Sequence, residues 1–172
     1  MSAPRGPDAG ADRPDPGAEM RRKDRGKDEA WIRAYLRAAT WGFLGMVGED
    51  GRPYVHSSLF VFDEERHCLW MHGYRAGRMR NSVDACASVV FSAAGMGRLL
   101  PAASAAEFSV EYASVVVFGT GRVVGDVEEA TRGLRMLMEK YAPHLRYGED
   151  YGGIPSQELE RCLLYTSPSP RD

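Results

Sequence analysis

The stretch "WGFLGMVGEDGRPYVHSSLFVF", Trp41 to Phe62, reads as two strands joined by a tight turn. Gly48-Glu49-Asp50-Gly51 separates two apolar runs, and Asp-Gly in that position is a strong hairpin signal, so antiparallel pairing is expected. Upstream, Trp31, Ile32, Tyr35, Leu36 and Ala39 recur at helical spacing behind Asp28, with Arg33 and Arg37 on another face, which predicts a helix capped by Asp28. Downstream, the turn Asp63 to Arg66 leads to the strand "HCLWMH", then a short helix, then "ASVVFSA" as a fourth strand. Gly95 to Ser104, rich in Gly, Ala and Ser, is expected to be a mobile loop. "AEFSVEYASVVVFGTGRVV" predicts one or two long strands, broken near Tyr112 or Gly119 where a bend would help close a barrel. Finally "DVEEATRGLRMLMEKYAP" predicts a helix with Asp126 as cap and an apolar stripe of Leu134, Leu137, Met138 and Tyr141. Runs of strands with few helices indicate a mainly β protein, a small antiparallel split barrel with flanking helices, rather than an α/β fold.

With 172 residues the chain suits a single core. Its 22 basic and 24 acidic residues leave a formal charge of -2, so no global field draws it to nucleic acid or an anionic membrane. Any anion must be held by a local site. No apolar run approaches the roughly 20 residues needed to span a bilayer, and the start has no apolar signal core, so a cytoplasmic location is expected. Cys68, Cys86 and Cys162 fit neither a metal spacing nor an even disulfide framework.

Both ends are set apart from the expected domain. Residues 1–28 combine Pro, Gly, Ala and Asp with mixed charge, and read as a flexible arm whose basic cluster Arg21, Arg22 and Lys23 is solvated. At the other end "CLLYTSPSPRD", residues 162–172, resembles a reading-frame translation of a sequencing adapter. The expectation is a scar outside the fold, with the barrel domain at 29–161 and shortened at its C-terminus.

Chemistry concentrates in "LWMHGYRAGRMRN", Leu69 to Asn81. A strand ends in His72, passes Gly73 and Gly77, and gives way to a helix start crowded by Arg75, Arg78 and Arg80. Positive charge is unfavourable at a helix amino end unless an anion accompanies it, so a phosphate site is the economical reading and a solvated helix face is its alternative. Ser57 and Ser58 break strict alternation in the second strand, and their hydroxyls could bond phosphate oxygens. His56 and His72 are expected near the ends of adjacent antiparallel strands, whereas His67, in a turn, reads as an ordinary surface histidine.

The strand pair, "WMHG", the "GRMRN" helix and "FSVEYASVVVFGTGRV" together resemble the FMN-binding split barrel of the pyridoxamine 5'-phosphate oxidase family, closest to its nitroimidazole-reductase branch. The resemblance covers roughly Glu29 to Tyr141. It implies a homodimer with FMN at the interface and a flavin-dependent oxidoreductase taking electrons from a nicotinamide donor to a small-molecule acceptor. By position, His56, Ser57, Ser58, Leu59, Phe60 and Val61 would line the ring and ribityl chain. Met71 and His72 would follow, Arg78 would hold the phosphate, Ser114 would contribute from the long strand, and His72 would supply a proton. The family's oxidase often carries an Arg-Lys pair where this chain has Gly77 and Arg78. The oxidase's own substrate is not expected, because the C-terminal part lacks basic residues for a second phosphate. The alternative is a non-catalytic binding protein holding flavin, deazaflavin or heme in the same cleft, with His72 or His56 as an axial ligand. No metal site is expected.

Overall fold

The hairpin forms as the Asp-Gly pair predicts. In the computed structural model, which describes residues 20, 22–74 and 76–152 and the backbone of 163–168, β1 (Gly42–Val47) runs antiparallel to β2 (Pro53–Ser58). Gly51 N–H donates to Gly48 O at 2.9 Å, with Gly51 at φ 74°, a left-handed conformation that glycine adopts without steric cost.

The apolar run after Pro53 does not stay one strand. It breaks at Leu59 into β2 and β3 (Phe60–Asp63), and β3 pairs with β4 (Cys68–His72) while β2 stays on β1. With β5 (Ser88–Leu100), β6 (Ser109–Val123) and β7 (Leu163–Pro168), the sheet order is β2-β1-β5-β6-β7-β4-β3. Its two outer strands are consecutive in the chain. The barrel is therefore closed at Leu59 by covalent continuity rather than by a ladder, which is the split. One expectation fails here: β4 pairs with β3 and β7, not with β2, so His56 and His72 do not sit on hydrogen-bonded neighbours.

Three further expectations differ from the structure. The stretch from Gly95 to Leu100 is the end of β5 and not a loop, because it pairs with β6, Gly95 opposite Ala113 and Leu100 opposite Ser109. β6 runs unbroken through Tyr112 and Gly119, and the irregularity falls instead on β5, between Met96 and Leu99. The backbone of 163–168 forms β7, pairing with β4 on one side and β6 on the other, whereas the sequence reading set this segment outside the fold.

The helices start where their caps predict. Asp28 accepts from Trp31 N–H at 2.8 Å to open α1 (Glu29–Ala38). Asp126 accepts from Glu129 N–H at 2.8 Å to open α3 (Val127–Tyr141). α2 (Arg78–Ala85) follows β4. A short 3-10 turn, Lys23–Arg25, precedes α1, and Arg25 donates to the Tyr112 hydroxyl at 3.3 Å.

The core explains why the strands differ in pattern. Inside the barrel, Leu44, Met46, Phe60, Phe62, Leu69, Met71 and Phe91 form one cluster with Leu36, Met79 and Val83 from the helices. Outside β3 and β4, Val61, Cys68 and Trp70 form a second cluster beneath Ala130 and Leu137 of α3. Both faces of β3 and β4 are thus covered, which makes "FVF" and "CLWM" continuous apolar runs. β1 and β2 alternate instead, because their outer face is bare. No helix among the described residues is long and apolar enough to cross a membrane.

Candidate functional site

α2 is held against the end of the barrel by Met79 and Val83, both buried. The approach is close: a Cβ on Gly73 would lie 2.0 Å from Met79 Cε, so a side chain there would force the end of the Met79 side chain to shift. Gly77, in extended backbone, provides no side-chain cap, and the first helical bond is Asn81 N–H to Gly77 O. The first turn therefore has no side-chain cap from Gly77, and Arg78 stands in it.

The predicted arginine cluster divides. Arg80 turns along its own helix to Asp84 at 2.7 Å, and Arg75 lies outside the described residues. Arg78 reaches the β1–β2 turn, its guanidinium 4.8 Å from the Tyr54 ring centroid and 3.5 Å from the Asp50 carboxylate, with half its side chain exposed. Asn81 bonds Glu49 of the same turn at 3.3 Å.

The other predicted residues fall into three groups. Phe60, Val61 and Met71 have buried side chains in the two cores, so only their backbone could meet a ligand. Ser58 is buried as well and donates to Leu59 O at 2.8 Å. Ser57 faces the other way, and register carries it across the outer surface in a row with Phe43, Ser92 and Val116. Ser114 lies two residues from Val116 on that same face, opposite Ala94. Leu59, at the break, and His72, at the end of β4, are exposed; His56 is half-buried, opposite Leu44. The outer face is apolar and open, with Trp41, Phe43, Val55 and Val116 all more than two-fifths exposed. It continues onto a ribbon of β5 and β6 bearing Met96, Leu99 and Tyr112, with Phe108 in the connection between them.

Three residues that hold this arrangement were not read from the sequence as site residues, although Tyr141 was expected in an apolar helix stripe and Asp63 in a turn. The Tyr141 hydroxyl accepts from Phe60 N–H at 3.1 Å and lies within bonding distance of Phe60 O and Thr40 O, so it fixes the break where the barrel splits. Lys140 donates to Ala39 O and Leu36 O at the end of α1 and lies 4.0 Å from the Phe60 ring centroid; burial lowers its pKa to about 8. Asp63 is buried, which pushes its pKa up, but hydrogen bonds from Arg132, Trp70 and Arg66 N–H outweigh this and hold it below the ordinary range. Only the Asp63-to-Arg66 turn carried a local signal. Trp70 and Arg132 come from other elements.

Solved structures share this fold. A Bacteroides thetaiotaomicron VPI-5482 protein assigned to 5-nitroimidazole antibiotic resistance superposes with a TM-score of 0.68 at 17% identity, over 84% of this chain and 81% of that one. The FAD and heme binding protein from Mycobacterium smegmatis gives 0.70 at 19%, over 84% and 68%. The flavocytochrome Anf3 from Azotobacter vinelandii gives 0.69 at 20% over 83% of this chain, which spans 64% of that protein's length. No curated protein sequence matched. The split at Leu59, the bare outer face and the uncapped α2 all lie within residues 28–162, the span matched by the profile described as Pyridoxamine 5'-phosphate oxidase, and the chain belongs to that family.

Proposed function

We propose that the chain is an FMN-binding oxidoreductase of the nitroimidazole-reductase type, working as a homodimer with the flavin between two copies. The observation that carries this reading is Arg78, a half-exposed guanidinium in the uncapped first turn of a helix, where it reaches the β1–β2 turn of the strand pair whose outer face is bare. Such a helix end suits a phosphate, and the bare face suits a flat ring covered by a second copy, so these residues fit a phosphate-bearing flavin.

When bound, the flavin supplies two-electron chemistry between a nicotinamide donor and a small-molecule acceptor. Arg78 and the first-turn N–H groups of α2 bind the phosphate. Backbone groups of residues 56–61 and 71–72, with Ser57 and Ser114 on the outer face, orient the ring. His72 supplies a proton from a ring nitrogen. A second copy excludes water from the face. The eight exposed apolar side chains of that face and its ribbon, each offering on the order of 100 Å², reach the roughly 800 Å² a side that stable interfaces bury.

The test compares two ligands. Arg78→Ala removes a charge-assisted contact worth about 1.5–3 kcal/mol, or roughly ten- to more than a hundredfold in FMN affinity. Riboflavin, which lacks the phosphate, should be unaffected. Equal losses for both, with circular dichroism unchanged, would reject the phosphate role.

A further inference from the structure

Arg78 is already engaged by a carboxylate of its own chain. Its guanidinium lies 3.5 Å from Asp50 Oδ2. That carboxylate is held in place, because Asp50 Oδ1 accepts from Arg52 N–H at 3.1 Å within a turn fixed by Gly51. The guanidinium is held too, over the Tyr54 ring. The turn and the amino end of α2 therefore meet as a pair of opposed charges, with Glu49 bonded to Asn81 beside them and Arg80 directed to Asp84.

An anion arriving at the uncapped turn of α2 competes with Asp50 for Arg78, and it shares a few ångströms with a fixed negative charge. A neutral ligand meets neither cost. We propose that Asp50 is a specificity-determining residue of the site, a built-in competitor for Arg78 that weakens binding of the phosphate end of a flavin and leaves its ring untouched. This rests on the phosphate reading of Arg78, and it gives Asp50 the opposite sign to Arg78 on the same ligand.

The experiment measures FMN and riboflavin affinities by titration for the wild-type chain, Asp50→Asn, Glu49→Gln, Arg78→Ala and the Asp50→Asn/Arg78→Ala double variant. Asparagine retains a carbonyl oxygen for the Arg52 N–H, and Asn-Gly suits a tight turn, so Asp50→Asn keeps the hairpin. Asp50→Asn should tighten FMN about three- to tenfold and leave riboflavin unchanged. The gain should vanish when Arg78 is alanine, and Glu49→Gln, which removes a charge bonded to Asn81, should give less than half of it. If Arg78→Ala weakens FMN alone while Asp50→Asn leaves FMN unchanged or weaker, the competitor role is overturned and the phosphate reading stands. A gain that persists without Arg78, or one matched by Glu49→Gln, also overturns the role, since the effect would then be general charge. If Arg78→Ala weakens both flavins equally, the phosphate reading itself falls and the competitor role with it.

Discussion

Lys140 sits where three segments meet, its ammonium bonded to two carbonyls at the end of α1 and set against the Phe60 ring. Its folded pKa of about 8 lies below the ordinary 10.5, because burial disfavours the charge. Below pH 8 both the folded and unfolded chains hold the proton, and the burial cost is fully present. Above it the unfolded chain keeps a proton that the folded chain has shed, so this group's contribution to stability rises toward pH 10.5. Urea unfolding of the wild-type chain and of Lys140→Met, on either side of pH 8, should show the wild type gaining relative to the variant at the higher pH. A pH-independent difference would contradict the assignment. Asp63 works in the opposite direction. Its lowered pKa contributes stability that is present above the ordinary carboxylate value and lost as pH falls through the folded one. Asp63→Ala leaves the Trp70 indole N–H and the Arg132 guanidinium without this acceptor, at a cost of about 2–4 kcal/mol. The lower half is expected, because Arg132 is partly exposed and keeps Glu65.

Among the elements, the strand that breaks at Leu59 determines the architecture. The sequence signalled the hairpin through Asp50-Gly51 and both long helices through Asp28 and Asp126, because turns and caps are local chemistry. The break was not legible. "SSLFVF" contains no Gly or Pro, and the group that fixes it, the Tyr141 hydroxyl, lies 81 residues from Phe60. Tyr141→Phe should therefore cost about 1–3 kcal/mol by leaving Phe60 N–H without its acceptor. An unchanged denaturation midpoint would show that the split is fixed by packing alone. The end of β5 was missed for a related reason: the glycines at 95 and 97 look like a loop, yet pairing with β6 keeps residues 95–100 in the sheet. β7 lies between β6 and β4, so a chain ending at residue 161 loses two ladders and should melt at a lower temperature. An unchanged melting temperature would leave 162–172 outside the fold, as first read.

Across the whole molecule, the candidate site was partly legible. Arg78 at a helix start was visible because charge at a helix amino end is a sequence-level conflict. What could not be read was which side of each strand faces outward, since "HSSLF" gives no alternation to follow. Register resolves it, turning Ser57 and Ser114 outward and Phe60 and Met71 into the core. The same register exposes Phe43 at the centre of the face proposed for the second copy. Phe43→Glu should leave circular dichroism unchanged while shifting light-scattering mass from dimer to monomer at micromolar concentration. A variant that stays dimeric would move the interface elsewhere. The proposed activity turns on a flavin. Its most direct test is the absorption spectrum of the purified chain incubated with FMN and freed of unbound ligand, recorded before and after a nicotinamide donor and again after a nitroaromatic acceptor. Retained flavin bands that bleach with the donor and return with the acceptor are predicted; a spectrum without flavin, one with a heme Soret band in its place, or bound flavin that no donor reduces would contradict it.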